Sequence, residues 1–190
     1  VDRFGKTIVI KDAIIGKNLN VVVIRGFATL DQLAFISAPD VYNQLTNPFG
    51  TQRDPDKSHA RDVLEYALSA LGEEPDSSPR AFPEIILNAR DTTVISINIG
   101  SSESEMEFLS SDSQGDYSTV ANITIYADLI EYGRENNPQI SRVDGNHRLL
   151  MVAKRAEEEP DEIFPTVPFS LFVGLTADQE RSLFRDINGE

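Results

Sequence analysis

The sequence predicts an α/β domain in which a small mixed sheet is flanked by helices. β-Branched runs recur along the chain, as in Thr7-Ile8-Val9-Ile10 and Asn20-Val21-Val22-Val23-Ile24. Between such runs lie segments with apolar residues at helical spacing, such as Ala60, Val63, Leu64, Ala67 and Leu71. A length of 190 residues with 40% hydrophobic content suffices for one well-buried core and demands no second domain.

In chain order, the strands at 7–10 and 20–24 are expected to be separated by a turn near Gly16, and Leu30 to Ile36 reads as a short helix. Asn47-Pro48-Phe49-Gly50 breaks the chain into a loop that carries Gln52, Arg53 and Lys57. Asp56 or Ser58 can cap a helix that ends near Leu71, where Gly72 stops it. The polar, proline-bearing stretch 73–83 leads into a strand over 84–88, and the β-branched stretch 92–99 pairs nearby. Residues 100–107 read as a solvated Ser/Glu-rich loop, and 120–126 alternates as a half-buried strand does. A strand–turn–helix unit follows over 139–156, then a charged loop at 157–162. The strand at 167–173 carries Pro168 near its start, which suits an edge or first position. Thr176-Ala177-Asp178-Gln179 has the form of a capping box and opens a last helix through Ile187. Because the sequence stops at Glu190 directly after that helix, it reads as one domain of a longer chain.

No apolar run approaches the roughly 18 residues of a membrane span, and the N-terminus lacks the pattern of a signal peptide, so a cytoplasmic protein without membrane association is expected. The absence of cysteine excludes disulfides, thiolate metal sites and thiol nucleophiles. A net charge of −14 opposes non-specific coating of nucleic acid. The charge is uneven, however. Residues 1–60 hold seven Lys/Arg against six Asp/Glu, whereas residues 101–162 hold five against fourteen, so a local basic site can survive.

Asp144-Gly145-Asn146-His147-Arg148 carries the most chemistry. It follows the apolar strand Gln139 to Val143 and opens a helical run that includes Leu149 and Val152. Gly145 permits a sharp turn, and Asn146, His147 and Arg148 then occupy a first helical turn whose N–H groups face outward. Arg148 offers a planar fork for two phosphate oxygens and His147 a further donor. Asp144 suits capping the helix or orienting His147. The bland alternative is an ordinary N-cap and turn glycine with exposed helix residues after them.

A second basic set, Arg53, Lys57, His59 and Arg61, lies before or at the start of the helix at 58–71, and Arg90 follows the strand at 84–88. Solvated charges near Asp54, Asp56 and Asp62 are the simpler reading of that set. His59 and His147 lack a spaced third ligand, so no metal site is expected. Glu103, Glu105 and Glu157-Glu158-Glu159 read as solvated faces. The chain has no P-loop, dinucleotide fingerprint, nucleophile elbow or zinc spacing.

The motif resembles that of the DGQHR-domain family, which includes DndB-like regulators of bacterial DNA phosphorothioation and related defence proteins. The resemblance rests on Asp144 to Arg148 with Ile140 to Val143 before it, on Val167-Pro168-Phe169, on Phe184-Arg185-Asp186-Ile187-Asn188, and on Gln52-Arg53 and Phe82-Pro83-Glu84-Ile85-Ile86-Leu87-Asn88. Asn146 stands where the namesake motif has glutamine. The resemblance implies a ParB/sulfiredoxin-like fold and a phosphate-binding turn, with Arg53 as the partner of Arg148. Lys57, Arg61 and Arg90 are weaker candidates on their charge and position alone. The resemblance also implies a nucleotide or a DNA backbone as ligand, with an NTP and Mg²⁺ in the first case, and other DNA-modification proteins as partners. An oligomer is compatible with it. Neither sulfiredoxin thiol chemistry nor carboxylate-assisted CTP hydrolysis carries over, because Asn146 occupies the position of their cysteine or glutamate. Three functions remain open: a DNA-binding regulator, an NTP-binding switch with weak NTPase activity, and a non-catalytic protein-interaction module.

Overall fold

Alternation along the first β-branched run does not stop at Ile10. In the computed structural model, which describes residues 4–19, 21–41, 44, 48, 50, 57–72, 80–99, 118–131 and 137–189, the first strand β1 spans Thr7–Asn18. Ile8, Ile10, Ala13 and Ile15 are buried along it. A bulge between Ile10 and Ala13 shifts the alternation by one residue. Asp12 there has φ 56°, and its N–H donates to Asn122 Oδ1 at 3.1 Å. The expected turn near Gly16 is therefore displaced. Gly16 pairs with Val23 inside the ladder to β2 (Val21–Thr29), because Ile14 and Ile15 continue the strand beyond the bulge.

The remaining elements are α1 (Leu30–Ile36), α2 (Lys57–Ser69), β3 (Ile85–Ala89), β4 (Ile95–Asn98), β5 (Thr119–Tyr126), β6 (Ile140–Asp144), α3 (Asn146–Leu149), α4 (Val152–Glu158), β7 (Thr166–Val173) and α5 (Ala177–Asn188). Single 3₁₀ turns at Ala70–Gly72, Thr92–Val94 and Ala127–Leu129 join some of them. The sheet order is β4-β5-β1-β2-β7-β3-β6, antiparallel throughout except for the parallel β3–β7 pair. Mixed α/β architecture is as expected, although seven strands exceed a small sheet.

Two further expectations are corrected. The helix expected to run on to residue 156 is not continuous: a turn at Leu150-Met151 separates α3 from α4, and α4 takes up Glu157 and Glu158 from the expected loop. Pro168 lies in an interior strand, opposite Phe27 of β2. The ladder to β3 begins only at Phe169, so an unpaired position on that side accommodates the missing N–H.

One face of the sheet forms the main core with α1, α2, α3 and α4, centred on side chains such as Ile24, Leu33, Leu64, Leu87, Leu149 and Phe169. On the other face Leu183 of α5 packs against a smaller cluster of Val23, Phe172 and Leu175. Thr176 caps α5, accepting from Gln179 N–H at 3.3 Å, while Gln179 Oε1 accepts from Thr176 N–H at 2.9 Å. No helix among the described residues is long and apolar enough to cross a membrane.

Candidate functional site

Strand β6 delivers Asp144 to its end, where the chain must turn sharply into α3. Gly145 makes that turn at φ +97°, in the left-handed region that glycine alone enters cheaply, and an added Cβ would meet Ile85 Cδ1 at 2.7 Å. Gly145 itself is the N-cap of α3, with no side-chain capping bond. Asp144 therefore does not hold the N-cap position expected for it, and it pairs with Arg148, Nη2 to Oδ2 at 2.6 Å. Arg148 Nη1 donates to Pro83 O at 2.9 Å and to Glu84 O at 2.7 Å. The guanidinium thus ties the turn to the segment entering β3, and the side chain is only 16% exposed.

Behind the turn lies Arg142, a charged residue within an apolar strand. Its Nε donates to Ser37 Oγ at 3.1 Å, its Nη2 to Ala34 O at 3.1 Å and Ser37 O at 3.0 Å, and its Nη1 to Asn146 Oδ1 at 3.2 Å. Burial lowers its pKa to about 10, so the charge persists at neutral pH. Asn146 is 4% exposed. Since a guanidinium only donates, the Asn146 oxygen must face Arg142, which fixes the amide orientation. Its Nδ2 has no hydrogen-bond partner. An orphaned buried donor costs about 1–3 kcal/mol, which is uncommon in a well-satisfied interior.

Asn146 lines a pocket of about 360 Å³ whose walls are His59, Val63 and Tyr66 of α2, Phe82 and Pro83 of the strand approach, and the turn from Asp144 to Arg148. His59, Val63 and Tyr66 stand at i, i+4 and i+7, one face of a helix. His59 and His147 are exposed at the rim, and their rings meet edge to face with centroids 5.9 Å apart. The structure therefore unites His59 with Asp144, Gly145, Asn146, His147 and Arg148. Tyr66 and Phe82 join the pocket walls without a motif to mark them, although the helical spacing from His59 through Val63 to Tyr66 is legible in the sequence.

Other expected contributors are elsewhere. Arg61 is exposed on α2 and does not line the pocket. Arg53 and the side chain of Lys57 lie outside the described residues, as do Gln52, Glu103 and Glu105. Arg90 is held in a buried cluster remote in sequence: Nη2 meets Glu180 Oε2 at 2.5 Å and Nη1 meets Asp40 Oδ2 at 2.8 Å. Burial alone would lower its pKa, but hydrogen bonds and charge from Glu180 and then Asp40 outweigh this and raise it. Glu180 also accepts from Asn88 Nδ2 at 2.5 Å and from Ser141 Oγ.

No group of three or more His, Cys, Asp or Glu among the described residues is arranged to hold a metal ion. A larger cavity of about 830 Å³ opens between α1, α4 and the approach to β6, with Phe35, Ile130 and Ile140 in its walls and Arg142 behind them. No protein-family model, curated protein or solved structure matches the chain.

Proposed function

We propose that the pocket at Gly145 binds the phosphate-bearing end of a nucleotide, and that the chain is a regulatory domain of a bacterial DNA-modification or phage-defence system. The observation that carries the reading is the convergence of His59, His147 and Arg148 with the turn at Gly145 around one concave site. The DNA-modification role draws its support from the DGQHR-like motif alone, as does the DndB-like assignment to phosphorothioation. A mononucleotide is favoured over a DNA backbone. A pocket of about 360 Å³ suits one small ligand, and a net charge of −14 repels a polyanion. The two rim imidazoles supply donors to phosphate oxygens, and Mg²⁺ would accompany an NTP as its counterion. Arg148 contributes mainly by holding the turn, since three of its N–H bonds are made within the chain.

The test is calorimetric titration of ATP, GTP, CTP and a short DNA duplex, with and without Mg²⁺, on wild type and on His147→Ala. Saturable binding of one nucleotide, weakened several-fold in the variant, is expected. Binding of duplex alone would replace the nucleotide reading with the DNA-regulator one. Absence of all binding by folded protein would favour an interaction module.

A further inference from the structure

The floor of the pocket has a different chemistry from its rim. Asn146 Nδ2 is a donor without a partner in a side chain that is more than nine-tenths buried. Arg142 holds the amide so that this donor cannot exchange places with the oxygen. Asp144 lines the same pocket, and its Oδ2 is engaged by Arg148. A phosphate at the floor would meet that negative charge, whereas a group offering both an acceptor and an N–H satisfies donor and carboxylate together. Val63, Tyr66, Phe82 and Pro83 provide apolar and aromatic walls, as a flat heterocycle requires.

We infer that the floor of this pocket is a seat for a single unpaired nucleobase, whose amide-like edge accepts from Asn146 Nδ2 and donates to Asp144. This rests on the nucleotide reading and deepens it: the base goes to the floor and the phosphates to the imidazole rim. The base comes either from a free nucleotide or from an unpaired strand. Nδ2 is screened from solvent, so its acceptor arrives with a local adjustment of the wall, and a binding step slower than diffusion is expected.

The experiment titrates the whole chain with adenosine, guanosine, cytidine and uridine, with inorganic tripolyphosphate, and with a short single-stranded oligonucleotide and its duplex. Asn146→Asp is the informative variant, because it keeps an oxygen for Arg142 while removing the donor. One nucleoside should bind at least tenfold more tightly than the others, and Asn146→Asp should weaken it at least tenfold with no loss of thermal stability. Tyr66→Ala removes a wall without touching Arg142 and should also weaken the nucleoside. It serves as the second variant if Asn146→Asp does not fold. Nucleoside binding without tripolyphosphate binding upholds the base seat and sinks the phosphate rim. Tripolyphosphate binding without any nucleoside or single-strand binding does the reverse. Tighter binding of the single strand than of any nucleoside identifies a strand as the source of the base, and tight nucleoside binding identifies a free nucleotide. Affinity unchanged in both variants, or binding of the duplex alone, overturns the inference.

Discussion

At Gly145 the backbone rather than the side chain decides the residue. Its positive φ disfavours any Cβ by about 1–2 kcal/mol, and the Ile85 side chain must also shift to admit one. Gly145→Ala is expected to lower unfolding free energy by about 2 kcal/mol in urea melts, and to weaken any ligand through displacement of Asp144 and Arg148. The neighbouring Arg142 answers a different question. Its burial is tolerated because hydroxyl, carbonyl and amide oxygens from Ser37, Ala34 and Asn146 surround it. Arg142→Met removes a charge but orphans those acceptors, and a loss of about 3 kcal/mol or more is expected by the same measurement. The glycine was legible in the sequence because strand, turn and helix signals are local. Arg142 carries a weaker signal, a charged residue between Ile140 and Val143, and its partners Ala34 and Ser37 lie more than a hundred residues away.

Helix α5 begins by local rules and is then anchored by distant ones. Its capping box was readable from Thr176 and Gln179, and Thr176→Ala should cost about 1 kcal/mol in chemical unfolding. Its attachment to the sheet depends on Glu180, 1% exposed, against Arg90, Asn88 and Ser141. Truncation as Glu180→Ala leaves the buried guanidinium without this carboxylate, and a loss of about 3–5 kcal/mol is expected. A double-mutant cycle with Arg90→Ala should return a coupling of about 1 kcal/mol or more. An Arg90 free for phosphate would show no such coupling. Sequence spacing gives no hint of this pair, since ninety residues separate its members. The same limit applies to β1, where alternation identified a strand but the bulge at Asp12 carried it past the expected turn.

Across the whole molecule, acidity and topology act together. A net charge of −14 leaves a pocket for one small anion possible, but sets a high cost for many phosphates at once. Nucleotide affinity is therefore expected to fall by less than about tenfold between 50 and 200 mM salt, whereas an interface with six or more DNA phosphates would lose about 10³-fold or more. Titrations at two salt concentrations separate these cases. By itself the sequence determined the α/β class, most of the strands and helices, and the turn from Asp144 to Arg148, because alternation, helical spacing and turn chemistry are properties of adjacent residues. Only the tertiary structure decided that His59, Tyr66 and Phe82 meet that turn, that Arg148 braces it, and that Arg90 is spent on Glu180. Those outcomes follow from sheet order and helix docking, which bring together residues whose separation along the chain carries no local signal.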